Sequence, residues 1–166
     1  GTWNIYCYDA GDAAGGNNAW VSSRYAGYYT DNTLNFNTGT RWVNTPYDAN
    51  ATGGQAYRGC YIPNDYHSWS AVRTNIACGG YQLQVQHDDI GQIFINGTNV
   101  YNNAACCAST NAGTYVIKNT DVITYRVSEG AGGSNGLITF NATAALGGGT
   151  IGGIANPTTI CNGSDP

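Results

Sequence analysis

Two adjacent carboxylates, Asp88 and Asp89, are the residues of this chain whose type and spacing are best suited to bind a cation. They follow a run from Tyr81 to His87 in which Tyr, Leu, Val and His alternate with three glutamines, the pattern of a β-strand with one buried face. Neighbouring residues of a strand point to opposite faces, so both carboxylates can reach one ion only where the backbone kinks or the peptide between them is cis. Ca²⁺ prefers such oxygen ligands. The pair therefore predicts a Ca²⁺ site, and the alternative is an acidic turn whose carboxylates accept backbone N–H groups.

The segment after the aspartates has the pattern of a β-hairpin. Residues 92–96 form a second, mainly apolar strand pattern, and Asn96-Gly97 is the strongest short-range hairpin signal. Residues 98–101 lead out of this turn. Residues 81–101 are therefore predicted to form a strand, an acidic turn, a strand, a tight turn and a strand.

Short strand patterns recur along the whole chain, and no window shows sustained helical periodicity. The pattern predicts an all-β fold, a jelly-roll β-sandwich with long disulfide-stapled loops and a C-terminal extension strand. Most of the four large tryptophans, Trp3, Trp20, Trp42 and Trp69, are expected in the core. The further predicted strands are 2–8, 19–23, 34–36, 40–43, 114–117, 122–127 and 137–141.

The composition changes near the C-terminal end. Residues 1–144 are predicted to form one module, and 145–166 a Gly-rich joint, Gly147 to Gly149, followed by a tail strand at 150–161. The tail has two interpretations. It begins the next domain of a longer chain, or it pairs with a neighbouring subunit as an added strand.

The chain of 166 residues has a net charge of −4, with a single lysine and a single glutamate, Lys118 and Glu129. No basic cluster is present, which argues against nucleic acid or an anionic membrane as partner, because both need a concentrated positive face. No apolar stretch approaches the ~20 residues that span a bilayer. A surface that is polar through amides and hydroxyls favours a secreted, extracellular protein.

The six cysteines favour disulfides over metal ligation, because no Cys-x-x-Cys pair occurs, and they indicate an oxidising compartment. Cys106 and Cys107 are adjacent, with Cα atoms ~3.8 Å apart, closer than most disulfides allow. We therefore expect them to reach two different partners, and Cys60 and Cys78 are the nearest in sequence. This would leave Cys7 to pair with Cys161. The alternative is a bond between Cys106 and Cys107.

The motifs of residues 81–101 resemble those of a known group of modules. The Asp-Asp pair, the apolar strand after it and Ile95-Asn96-Gly97 resemble the jelly-roll modules related to galactose-binding domains and to the lectin-like domain first described in anthrax protective antigen. Residues 3–140 also resemble modules in large secreted surface proteins of gliding, Bacteroidetes-type bacteria. That resemblance rests on Trp3-Asn4-Ile5-Tyr6, Ala26-Gly27-Tyr28-Tyr29, His67-Ser68-Trp69-Ser70-Ala71, Cys106-Cys107 and Glu129-Gly130-Ala131-Gly132-Gly133-Ser134.

The resemblance implies a ligand set. In the resembling lectins, including the yeast flocculins, the aspartate pair holds Ca²⁺, and sugar hydroxyls complete its coordination shell. A downstream loop asparagine supplies a further ligand there, and Asn135 matches it by position. Asp88, Asp89 and Asn135 are therefore the expected metal ligands. Residues 158–166 also look like the opening of an immunoglobulin-like repeat that follows such modules.

Tyrosines form two clusters that could stack against sugar rings. Tyr25, Tyr28 and Tyr29 lie beside Arg24, and Tyr57, Tyr61 and Tyr66 lie near Cys60. The first three are the candidate carbohydrate-binding residues, and the alternative is that both clusters only pack within the protein. Four sequons mark candidate glycosylation sites at Asn50, Asn96, Asn141 and Asn162.

The sequence gives no support for catalysis. Gly132-x-Ser134-x-Gly136 matches a nucleophile elbow only formally, because that motif needs a helix after it. We therefore expect a non-enzymatic extracellular structural module, a building unit of a bacterial surface adhesin or filament whose C-terminal strand pairs with a neighbouring unit. Its partners would be copies of itself or adjacent repeats. The alternative function is a Ca²⁺-dependent carbohydrate-binding module whose partners are glycans.

Overall fold

The computed structural model describes residues 1–13, 15–16, 18–38, 57–63, 65–132 and 134–143. Within these residues the chain forms eleven strands and one short 3₁₀ turn, Ser22–Arg24. The strands are β1 Trp3–Tyr8, β2 Tyr25–Asp31, β3 Phe36–Asn37, β4 Arg58–Gly59, β5 Ser68–Arg73, β6 Gly79–Asp88, β7 Ile90–Ile95, β8 Thr98–Asn103, β9 Thr110–Ile117, β10 Ile123–Ser128 and β11 Asn135–Ala142.

The strands form two antiparallel sheets. The seven-stranded sheet has the order β4-β2-β1-β5-β10-β7-β8, and the four-stranded sheet has the order β3-β11-β6-β9. The core lies between them, because alternate residues of each strand point to the facing sheet. The largest fully buried side chains include Trp3, Tyr29, Phe36, Trp69, Leu83, Ile93, Ile117 and Tyr125. The predicted all-β sandwich is confirmed. In the part of the chain that the structure describes, no helix is long and apolar enough to cross a membrane.

Strand β6 shows how the sequence sets the two faces. Tyr81, Leu83, Val85 and His87 are buried, whereas the intervening glutamines reach the outer face. The neighbouring strand β11 contributes Gly136, directly opposite His87. A Cβ atom at this glycine would collide with the indole of Trp69, so the residue lets the two sheets approach.

The chain changes sheet at the aspartate pair. β6 belongs to the four-stranded sheet and ends at Asp88, and β7 belongs to the seven-stranded sheet and begins at Ile90. The predicted acidic turn is therefore the crossing between the two layers, and it lies at one end of the sandwich. The predicted hairpin at Asn96-Gly97 connects β7 and β8, which pair antiparallel.

One predicted strand is absent from the structure, and the central strand β5 was not predicted. Residues 19–23 form no strand, because Trp20 has φ of 54° and the chain turns there into the short 3₁₀ helix. The Trp20 backbone N–H donates to Ser68 Oγ at 3.0 Å, and its indole N–H donates to the Trp69 carbonyl at 2.8 Å. This segment therefore packs over β5. The sequence pattern did not predict this central strand, which contains Ser68 and Ser70. Trp3 and Trp69 lie in the core as predicted, and Trp20 is half-buried.

The expected disulfide pattern is wrong for most of the described cysteines. Cys106 and Cys107 are bonded to each other, with Cα atoms 3.7 Å apart in the turn after β8. They do not reach Cys60, because Cys60 lies beside β4, at the opposite edge of the seven-stranded sheet from β8, where its N–H donates to the Ala26 carbonyl. Cys60 is an exposed free thiol. Cys7 is also free, because β1 directs it into the core. Cys78 is disulfide-bonded, but its expected pairing with Cys106 or Cys107 is wrong, because those two are bonded to each other.

Several expectations lie outside the described residues. They concern the strand at 40–43, Trp42, the sequons at Asn50 and Asn162, Cys161 and the tail at 145–166. The proposed boundary at residue 144 is among them.

The cysteine assignment predicts a labelling order. Iodoacetamide should modify Cys60 in the native protein, whereas Cys7 should react only after unfolding, because burial also raises the pKa of its thiol. Cys106 and Cys107 should react only after reduction. Peptide mapping by mass spectrometry measures all four positions. Equal native labelling of Cys7 and Cys60 would contradict the placement of β1.

The close approach at Gly136 predicts a stability loss. Gly136→Ala should lower the free energy of unfolding by about 1–3 kcal/mol, because the added methyl displaces the Trp69 ring. Urea unfolding measures the change. Thr114→Ala, at an exposed position of β9, is the control and should stay within about 0.5 kcal/mol of the native protein. A neutral Gly136→Ala variant would mean that the sheets are further apart than described.

Candidate metal centre

Asp88 and Asp89 converge at the sheet crossing. The peptide between them is cis, which meets the geometric condition for two neighbouring carboxylates to lie on one side of the chain. The two side chains are in hydrogen-bonding contact, and this contact, after burial and the charge of Asp89, raises the pKa of Asp88. Asn135, the first residue of β11, lies directly opposite Asp88. The structure thus brings together the three residues that the sequence nominated.

Backbone and ring contacts fix the position of Asp89. Its carboxylate Oδ2 accepts the Gly130 N–H at 2.9 Å, and its own N–H donates to the Ser128 carbonyl at 3.0 Å. The buried ring of His87 contacts the Asp89 carbonyl through Nδ1 at 2.7 Å and the Tyr101 hydroxyl through Nε2 at 2.8 Å. Burial lowers the pKa of His87, and the Asp89 contact offsets part of that shift. A neutral His87 donates from Nδ1 to the carbonyl and accepts the Tyr101 hydroxyl proton at Nε2.

Glu129 is a member of this group that the motif analysis missed. It directly follows β10, is 1% exposed, and neither carboxylate oxygen has a hydrogen-bond partner among the described residues. Burial raises its pKa to about 7, and the charges of Asp89, Asp65 and Asp88 add to the shift. The Tyr66 N–H lies close to Glu129 and offsets only part of this rise in pKa. It donates its hydrogen bond to the Gly130 carbonyl. The alternation of Ile123, Tyr125 and Val127 could have placed residue 129 on the inner face.

This arrangement is suited to a hard cation. Asp88, Asp89 and Glu129 offer carboxylate oxygens, and Asn135 offers an amide oxygen, the ligand types that Ca²⁺ prefers. A buried carboxylate without a hydrogen-bond partner is unfavourable unless it is protonated or paired with a cation. These residues match Ca²⁺ in ligand type and charge, but the carboxylate oxygens of Asp88, Asp89 and Glu129 do not all lie within 4.8 Å of one another, so a shared ion would have to draw them together.

The disulfide between Cys106 and Cys107 borders the site on the side of β6 away from Asn135. The Cys106 sulfur lies 3.0 Å from Asp88 Oδ1. The Cys107 N–H donates to the His87 carbonyl at 2.8 Å, and the Gln86 side-chain amide donates to the Cys107 carbonyl at 2.8 Å. Both cysteines are exposed. A disulfide sulfur has no proton to donate, so this border is a sulfur surface rather than a hydrogen-bonding one.

The three tyrosines predicted to bind carbohydrate differ in how deeply they are buried. Tyr29 is 1% exposed in the core, so it is wrong as a carbohydrate-binding residue, because β2 directs it inward. Tyr28 is half-buried, and Tyr25 is exposed and contacts Tyr6 and Tyr8 through its ring. None of the contacts found within the described residues joins these tyrosines to Asp88 or Asp89. Tyr25 instead borders a groove beside Arg24.

Two sequons fall in described segments. Asn96 lies in the β7–β8 turn with φ of 50°; its amide nitrogen donates to Asp121 Oδ1 at 2.9 Å, and its amide oxygen accepts the Val122 N–H at 2.9 Å. A glycan at Asn96 would replace one of the two hydrogens on the nitrogen that makes the first contact. Asn141 is exposed near the end of β11 and donates to the Gln84 side chain at 3.4 Å. Use of either sequon stays a prediction.

The fold is a two-sheet β-sandwich that is also found in solved PA14 domains. No protein-family model and no curated protein matches the chain. The structure is similar to the PA14 domain of the antifreeze protein MpAFP, with a TM-score of 0.55 and 14% identity over 89% of this chain and 84% of that one. It is also similar to the PA14 sugar-binding domain of an RTX adhesin, with a TM-score of 0.60 and 13% identity over 87% of this chain and 92% of that one. At this identity the likeness shows the fold.

The raised pKa of Glu129 predicts a pH-dependent stability. Because the folded pKa, about 7, exceeds the ordinary value of 4.5, folding favours the protonated acid. The resulting penalty is absent below about pH 4.5, complete above about pH 7, and at most about 3 kcal/mol. Without Ca²⁺, Glu129→Gln should therefore be more stable than the native protein at pH 8 but not at pH 4. Urea unfolding in a chelator measures this, and parallel pH profiles of the two proteins would contradict it.

Proposed function

We propose that this protein is a non-enzymatic extracellular module of an adhesin-type surface protein, and that it binds carbohydrate through a Ca²⁺ ion held by Asp88, Asp89, Glu129 and Asn135. The observation that carries the proposal is the buried Glu129 carboxylate, which has no hydrogen-bond partner among the described residues and lies beside two converging aspartates. Burial and then the charges of Asp89, Asp65 and Asp88 raise the pKa of Glu129, and a cation bound beside these carboxylates would relieve the repulsion. The site is at one end of the sandwich, where a ligand can approach.

The protein's own residues would hold the ion and shape the site. Ca²⁺ would supply open coordination positions for two sugar hydroxyls. The Gly130 N–H orients Asp89, and the His87–Tyr101 contact holds the Asp89 carbonyl. Asn135 presents its side chain across from Asp88 at the start of β11. The site is therefore preorganised by hydrogen bonds that do not involve the ligand.

The structural comparisons support only the general part of the proposal, a non-enzymatic surface or sugar-binding module. One solved neighbour is described as a sugar-binding domain of an RTX adhesin, and the other as a domain of an antifreeze protein. Both are modules of larger proteins, which fits the expectation of a module in a surface protein. The calcium ion rests on the residues described above and not on these likenesses.

The first interpretation of the sequence was a filament or adhesin building unit joined through the tail strand at 150–161. That segment lies outside the described residues, so the interpretation stays a prediction. It is compatible with sugar binding, because the acidic site and the tail are separate parts of the chain.

The proposal predicts a Ca²⁺-dependent gain in stability. At a Ca²⁺ concentration 100 times the dissociation constant, the native protein should gain about 2.7 kcal/mol in free energy of unfolding relative to a chelator. Asp88→Asn combined with Asp89→Asn should abolish this gain, because the substitution removes two ligand charges. Isothermal titration with glucose, galactose, mannose and fucose, with Ca²⁺ or EGTA, measures sugar binding in parallel.

The matched control is Asp31→Asn, which removes a carboxylate at the opposite end of the sandwich, where Asp31 pairs with Trp3. This variant should keep the full Ca²⁺ response. An equal Ca²⁺ response in the native protein and in the double variant would refute the proposed site.

A further inference from the structure

A cleft lies next to the acidic site, and its residues have no role in holding the ion. Its volume is about 700 Å³, within the range of small-ligand sites. The side chains that line it include Asp9, Asn18, Arg24, Asp65 and Tyr66. A smaller groove continues beyond Arg24, where it is bordered by Tyr25 and Tyr61. The two openings share Asp9 and Arg24 and so form one trough.

The trough combines a fixed ion pair with exposed aromatic rings. Arg24 binds the Asp9 carboxylate at 3.2 Å and donates through Nε to the Asp9 carbonyl at 2.9 Å. Tyr66 and Tyr61 are 60% and 62% exposed, so their rings are not used by the core. An exposed Arg–Asp pair contributes little to stability. The Arg24 guanidinium and the Asp9 carboxylate can form hydrogen bonds with sugar hydroxyls. The exposed tyrosine rings can stack against the apolar faces of sugar rings.

The trough and the acidic site share a wall. The Gly130 N–H binds Asp89, and the Gly130 carbonyl accepts the Tyr66 N–H at 2.9 Å. The Asp65 carboxylate accepts the Gly132 N–H at 3.1 Å, and its charge also acts on Glu129. One backbone segment therefore connects a ligand of the proposed ion to the first aromatic ring of the trough.

We propose that the trough binds the further sugar units of an oligosaccharide whose first unit lies at the cation. The inference rests on the proposed function and narrows its substrate class from single sugars to oligosaccharide chains. Tyr66 stacks against the second unit, and the Arg24–Asp9 pair binds hydroxyls of the next. The affinity of the native protein should therefore rise with chain length, which a site made only of the ion and its ligands would not produce.

The test compares chain lengths in one titration series. Gluco-oligosaccharides and manno-oligosaccharides of one to four units are titrated into the native protein in Ca²⁺. We expect at least one series in which the trisaccharide binds about tenfold more tightly than the monosaccharide. Tyr66→Asn should reduce this ratio to below about twofold, since asparagine tolerates the φ of 57° at this position while removing the ring. Tyr66→Phe should keep the ratio.

The controls separate the trough from the ion site. Tyr66→Asn should leave monosaccharide affinity and the Ca²⁺-dependent stability gain unchanged, and Val116→Ala, exposed on the four-stranded sheet, should change nothing. A native protein that binds monosaccharides but gains no affinity with length would overturn this inference and leave the proposed function standing. A Tyr66→Asn variant that keeps the full ratio of trisaccharide to monosaccharide affinity would likewise overturn this inference and leave the proposed function standing. Absence of Ca²⁺-dependent binding to every sugar tested would overturn both.

Discussion

The crossing of the chain from one sheet to the other at Asp88–Asp89 is the constraint on which the rest of the site depends. β6 and β7 lie in different layers, so the two residues between their apolar segments must sit at the end of the sandwich. Contacts from three directions hold them there: the Gly130 N–H, the Ser128 carbonyl and the His87 ring. Because the two layers must meet at this point, the two charges are forced together at the same point.

Placing these carboxylates at one end of the sandwich is electrostatically unfavourable. Glu129 occupies an inward position that the alternation of β10 would give to an apolar side chain, and its acid is buried next to two others. A core that needed only to be stable would place a leucine or valine there. Natural sequences break such local rules mainly at functional positions, and this is the reason for including residue 129 in the proposed site.

The sequence predicted those parts of the fold that depend on local patterns. The alternation of residues 81–87 and the Asn96-Gly97 turn gave β6, β7 and β8, since one buried face and one tight turn are local properties. The strand β5 was missed, because Ser68 and Ser70 lack the contrast of a half-buried strand. Trp20, from a distant loop, packs on β5 and donates to Ser68 Oγ and to the Trp69 carbonyl. Long-range packing of this kind leaves no local signal.

The same distinction applies to the site. Asp88, Asp89 and Asn135 were found because a motif contains them, whereas Glu129 joins them only through the pairing of strands. Tyr29 was wrongly nominated, since a tyrosine cluster does not reveal which faces are buried. The bond between Cys106 and Cys107 was rejected on typical spacing, although the turn after β8 brings the two side chains to the same side.

The position of the only lysine has a practical consequence for surface-based measurements. Lys118 follows β9, whose last residue, Ile117, pairs with Gly79 at the start of β6, and the aspartates lie at the other end of β6. Ten residues of strand separate the two ends, a span of about 30 Å. Coupling to a sensor chip through the Lys118 amine would therefore orient the molecule with its acidic end toward the solution.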